Sequence, residues 1–178
     1  ARRSRRKAEA RPGSEDRRIP GRMEAEAVAL ALLALAGFVE LALFSYLPAD
    51  ALWVWGTDVS NLGGPVGALV AGILAGKFGW AAHALPFAGA IAAFRYLRGL
   101  PVRPRWIPLA AWTLCWVSLA ALLQAAANVW PGASPAAVGG NVGAVVVSVL
   151  SRALHLPGAT LFLAIAFVLS LLIATGAS

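Results

Sequence analysis

Carboxylates are scarce. After Glu26 the chain carries only Glu40, Asp50 and Asp58. Charged residues make up 13% of the 178 residues, against roughly a quarter in soluble domains. That excludes an ordinary water-facing surface. A single cysteine, Cys115, excludes an intramolecular disulfide and any cysteine-based metal spacing. The two histidines, His83 and His155, have no cysteine or carboxylate at ligand spacing. Ser118 and Ser148 have no legible base beside them. The one Gly-Lys pair lies in GILAGKF, residues 72–78. A phosphate-binding loop needs G-x-x-x-x-G-K-[ST]. Here three residues separate Gly72 from Gly76, and Phe78 stands where a hydroxyl would bind Mg²⁺. The expectation is a chain with no catalytic set, no metal and no cofactor.

What the sequence has is apolar length. Hydrophobic residues make up 60% of it, gathered into runs over 24–46, 80–97, 107–127 and 157–175. A bilayer core about 30 Å thick takes about 20 apolar helical residues to cross, so these four runs read as spans. Two shorter runs, 66–78 and 142–155, fall short; thirteen helical residues reach only about 20 Å.

The basic residues set the topology. Nine of the fifteen Lys and Arg lie in residues 1–22, a tail broken by Pro12, Gly13, Pro20 and Gly21 and read as disordered. It is too long, and too acidic in parts, for the basic start of a signal peptide. Arg95, Arg98, Arg103 and Arg105 surround a second turn at 98–106, whereas 48–62 and 128–141 carry no Lys or Arg. Basic loops stay cytoplasmic. Four crossings place both basic clusters inside and both uncharged loops outside; six crossings would put 98–106 outside. The expected architecture is therefore all-α and integral to the membrane. A tail at 1–22 precedes a four-span domain at 23–178, with both termini cytoplasmic. Trp53, Trp55, Trp80 and Trp130 then fall at the outer interface and Trp106 at the inner one, as indoles favour. Trp112 and Trp116 lie inside the third span and are expected to pack on another helix or on lipid tails.

One pattern occurs twice. GGPVGALV starts at Gly63 and GGNVGAVV at Gly139, 76 residues later. Each half then reads as span, outer loop, Gly-Gly hinge, short helix and returning span: two parallel repeats, with the short helices at the outer leaflet or re-entrant. Gly63, Gly64, Gly67, Gly139, Gly140 and Gly143 are the hinge residues. Glycine permits the positive φ of a sharp turn, Pro65 suits a first helical turn and Asn141 a cap. Bulky residues at Val66, Leu69, Val70, Ile73 and Leu74 alternate at helical spacing with small ones at Gly67, Ala68, Ala71, Gly72, Ala75 and Gly76. The second copy keeps small residues at Gly143, Ala144, Ser148 and Ser151. Small faces let helices approach closely in membranes, so these faces are expected to pack on the spans. The other reading is a re-entrant pair lining a pathway. Pathways need intramembrane polar groups, and the short helices offer only Lys77 and Arg152, at their C-terminal ends.

Glu40 is a carboxylate within the first span. Ionisable groups there are functional candidates. With no buried charge legible as its partner, the expectation is a carboxyl near the outer interface that bonds another helix, ahead of proton coupling.

ALFSYLPADALW (Ala42 to Trp53), NLGGPVGALVAGILAGKFG (Asn61 to Gly79), the span ending FRYLRG, the second Gly-Gly motif and the terminal Thr175-Gly176 together resemble the N-terminal four-span membrane domain of the FtsK/SpoIIIE DNA translocases. Ser45, Pro48, Asp50 and Trp53, then Asn61, match the family's outer-loop pattern; Glu40 is not part of it. The resemblance implies a bacterial inner-membrane anchor at the division septum. Its partners would be the lipid bilayer, other cell-division proteins and further copies of itself, hexameric by the same resemblance. The ATP-driven DNA motor of that family is expected outside this chain, which would bind no nucleic acid specifically. A small two-repeat transporter or channel is the alternative from another class. The Arg-rich tail is also explained by anionic lipid, which attracts basic segments by about 1 kcal/mol per residue.

Overall fold

The computed structural model describes residues 22–50, 59–98, 106–130, 132 and 138–175. Residues 1–21 of the tail expected at 1–22, most of the 98–106 turn, Trp53, Trp55 and the tips of both uncharged loops lie outside the described residues, and Arg22 opens α1. Among the described residues every regular element is helical. Helix α1 spans Arg22–Phe44, α2 Gly64–Phe78, α3 Ala84–Leu97, α4 Trp106–Val129 and α5 Gly140–Thr175; a 3-10 turn, Gly79–His83, joins α2 to α3. Four stretches are long and apolar enough to cross a membrane: Met23–Phe44, Gly64–Leu97, Leu109–Val129 and Gly140–Thr175.

The second and fourth stretches run to 34 and 36 residues. As straight helices each would be about 50 Å long, well beyond the roughly 30 Å core. Each is broken at a residue of positive φ. Gly79 closes α2 with φ 57°, ψ −135°, and His155 interrupts α5 with φ 53°, ψ 169°. Pro157 helps to break α5, because its ring removes a backbone donor and crowds the preceding turn. The runs at 66–78 and 142–155 are thus not set apart from the spans that follow. The first is joined to its span by the 3-10 turn at Gly79–His83, and the second abuts its span at His155.

The buried apolar residues are mostly alanines, among them Ala29, Ala42, Ala71, Ala82, Ala93, Ala120, Ala121 and Ala159. Large side chains such as Leu30, Phe44, Ile73, Phe87, Leu161 and Ile173 point outward. Water would not tolerate so much apolar surface. In lipid, bulky groups cost nothing outside, and small ones let backbones close up.

Two clusters result. Ala42, Leu43, Ala71 and Ala82 join α1, α2 and the 3-10 turn, with Leu74 and Phe78 packed beside them. Ala121, Ala125, Val147 and Leu163 join α4 and α5, with Leu150 and Leu156 beside them. In α2 the small residues Gly67, Ala68, Ala71 and Gly72 are buried and Val66 and Ile73 are exposed, but Gly76 is exposed and Leu74 packs on the core. The second short helix departs from expectation. Gly143 is buried there, but so are Gly140 and Val147, and Ala144 and Ser148 are exposed. Its inward stripe follows 140, 143 and 147, which leaves 144 and 148 about a third of a turn round.

Candidate functional site

The outer-loop residues singled out in the sequence form a clasp at the C-terminal end of α1. Asn61 is 4% exposed. Its Nδ2 donates to the Ala42 carbonyl at 2.8 Å, and its Oδ1 accepts from the Gly63 N–H at 2.9 Å. One side chain thus ties the end of α1 to the start of α2. Ser45 adds a second tie, its Oγ donating to the Leu41 carbonyl at 2.7 Å and accepting from the Leu62 N–H at 3.0 Å. Asp50 Oδ1 accepts from the Ser60 N–H at 3.2 Å. Pro48 stands exposed in the turn between them. Trp53 is outside the described residues.

The six glycines divide into two roles. Gly64 and Gly140 have φ of 64° and 63° and carry the chain reversal; Pro65 follows Gly64 in the first turn of α2. The other four serve close approach. A Cβ on Gly67 would stand 2.5 Å from Asn61 Oδ1, and one on Gly63 2.9 Å from the Gly67 Cα. Gly67 and Gly143 lie inside helices, so the hinge reading does not hold for them. In the second half a residue of α4 packs against Gly139 without the hydrogen-bonded tie that Asn61 makes. Gln124 is 4% exposed, donates through Nε2 to Asn128 Oδ1 at 3.0 Å, and occupies the space that a Cβ on Gly139 would need. A Cβ on Gly143 would stand 2.5 Å from the Ala120 carbonyl oxygen.

Glu40 has a partner that the sequence did not reveal. His83 Nδ1 lies 3.0 Å from Oε1 and 3.2 Å from Oε2 of the Glu40 carboxyl. With the carboxylate accepting, Nδ1 carries the hydrogen. The pair links α1 to the 3-10 turn across 43 residues, with both side chains a little over a third exposed. Histidine in this turn therefore bonds a carboxylate, where the sequence spacing offered it none. Among the described residues no group of three or more His, Cys, Asp and Glu side chains comes together.

Trp116 joins the two halves. Its indole stacks on Phe78 with ring centres 4.4 Å apart, and Nε1 donates to the Ala81 carbonyl at 2.7 Å. Buried or half-buried indoles need such an acceptor, which accounts for Trp116 so far from a span end. The C-terminal end of α2 also meets the start of α5, where a Cβ on Gly140 would lie 2.5 Å from the Lys77 carbonyl oxygen and from the Gly79 nitrogen.

The arrangement is one of ties and close backbone approaches. Its relatives agree with the resemblance seen in the sequence. The family model for the 4TM region of DNA translocase FtsK/SpoIIIE matches residues 21–178. The protein named DNA translocase FtsK from Vibrio vulnificus (strain CMCP6) is 32% identical over 154 residues, covering 80% of this chain and 15% of that relative. The chain therefore spans less than a sixth of the relative's length. No solved structure matches. With a match running from residue 21 to residue 178, this chain belongs to the family of the 4TM region of DNA translocase FtsK/SpoIIIE.

Proposed function

We propose that this chain is the membrane anchor and assembly domain of a septal DNA translocase acting in cell division and chromosome segregation. The observation that carries the reading is the extent of the family match. It covers the four-helix region, and the alignment takes up only 15% of a relative named for DNA translocation. On this reading ATP hydrolysis and DNA movement belong to other parts of the parent protein. These residues hold the parent in the bacterial inner membrane, with both termini cytoplasmic, and meet other division proteins and further copies of themselves.

The domain is built as two parallel repeats, each a span, a loop, a short helix and a returning span. Pairs of positions 76 residues apart support this. Gly64 and Gly140 share one positive φ, and Gly79 and His155 share another. Ala71 and Val147 enter the two core clusters, and Leu74 and Leu150 pack beside them. The short helices lie at the outer leaflet, the first held by the clasp and the second packed on Gln124 through Gly139 and Gly143.

A domain exchange tests the function. In the parent protein, residues 21–178 are replaced by an unrelated four-span anchor of the same topology. Membrane attachment and motor activity should survive, and enrichment at the division site should be lost. Full enrichment in the exchanged protein would overturn the assembly role.

A further inference from the structure

The contact between the two halves has a direction. Residues Lys77, Phe78, Gly79 and Ala81 of the first half receive Gly140 and Trp116 of the second. Gly140 is buried there. Shifted forward by 76 residues, the receiving positions are Ala153, Leu154, His155 and Pro157, and all four are exposed. Shifted back by 76, Gly140 becomes Gly64, and a Cβ there would meet nothing within 4 Å. One joint is formed, and its two outer counterparts are open.

Exposure in a membrane means contact with lipid and carries no argument by itself. The shape of the two open ends does. Gly64 keeps the φ that brings Gly140 against the Lys77 backbone, and His155 keeps a φ close to that of Gly79 although it is not glycine, with ψ of 169° against −135° and α-helix in place of the 3-10 turn after it. A contact between unlike surfaces leaves one of each unpaired, and its repetition between copies makes a ring or a filament. Resting on the reading of this chain as two parallel repeats, we propose that a second copy docks its Gly64 end of α2 on the 153–157 elbow of the first. This reproduces between copies the joint already formed within one. The counterpart of Trp116 is Glu40, so the indole stack is not repeated, and the joint between copies is the weaker of the two.

Cross-linking in the membrane tests this. In a Cys115→Ser background of the whole chain, Pro65→Cys with Ala153→Cys marks the joint between copies. Asn141→Cys with Lys77→Cys marks its internal counterpart. A disulfide needs Cα atoms within about 7 Å, so a short bis-thiol reagent is used beside oxidation. The expected result is a ladder of dimers and higher multimers from the first pair, an intrachain bridge from the second, and only monomer from Pro65→Cys or Ala153→Cys alone. Monomer from the first pair, with the intrachain bridge intact, would overturn the docking and leave the repeat reading standing. Loss of the intrachain bridge would overturn both. A dimer from a single variant would mean a symmetric contact, which also overturns the docking.

Discussion

Gly64 and Gly140 share one backbone conformation, with φ of 64° and 63°, but differ in what faces them. Open space surrounds the Cβ position of Gly64, and the Lys77 carbonyl oxygen lies 2.5 Å from that of Gly140. The same substitution should therefore cost different amounts. Alanine at position 64 meets only the left-handed backbone, about 1–2 kcal/mol. Alanine at 140 adds overpacking against backbone that cannot swing away, a further cost of about 1–3 kcal/mol. Unfolding of purified Gly64→Ala and Gly140→Ala in detergent should show the second clearly less stable. Gly64→Val should lose at least about 1 kcal/mol. Equal stability of the two alanine variants would contradict the close approach at Lys77.

The need for glycine at 64 and 140 is legible in the sequence because it acts on the residue itself. A doubled glycine before a proline or a cap asks for a turn wherever it stands. The spans are legible for a similar reason, since lipid imposes a length and a polarity on each helix alone. The Glu40–His83 bond depends instead on how α1 crosses the 3-10 turn, and nothing in a spacing of 43 residues announces it. The packing of Gln124 is hidden for the same kind of reason, as a side chain from α4 reaches a gap left by Gly139. Ala144 and Ser148 mislead because smallness marks a packing face only when the helix register is known. Gly140 and Val147 set that register through contacts with other helices.

Asn61 should be the least replaceable polar residue of the loop. Alanine there leaves the Ala42 carbonyl and the Gly63 N–H without their partner in a buried place. Each such loss costs about 1–3 kcal/mol. Asn61→Ala should therefore unfold at markedly lower denaturant than wild type, and Ser45→Ala, at an exposed tie, should change little. Similar small effects from both would contradict the clasp.

The Glu40–His83 pair should be measurable as a coupling. Glu40→Ala, His83→Ala and the double variant form a cycle whose interaction energy should be about 0.5–1.5 kcal/mol. Additive effects of the two single variants would contradict the contact. Glu40→Gln keeps an acceptor for Nδ1 and should retain most of the stability. Unchanged localisation in that variant would fit a structural bond; a loss of localisation without loss of stability would point to a role for the charge.

Orientation can be read with single cysteines in the Cys115→Ser background. Ser60→Cys and Asn128→Cys should react with an impermeant thiol reagent on intact cells, and Arg98→Cys only after the membrane is opened. Labelling of Arg98→Cys on intact cells, or protection of both others, would contradict four crossings with cytoplasmic termini.

The most direct measurement is where the domain goes by itself. Residues 1–178 carrying a fluorescent protein, at low expression in the source bacterium, should form a band at midcell in dividing cells. The band should be lost in Asn61→Ala if the clasp shapes the surface that division partners meet. Uniform fluorescence around the membrane, with the fusion intact, would contradict the septal anchor.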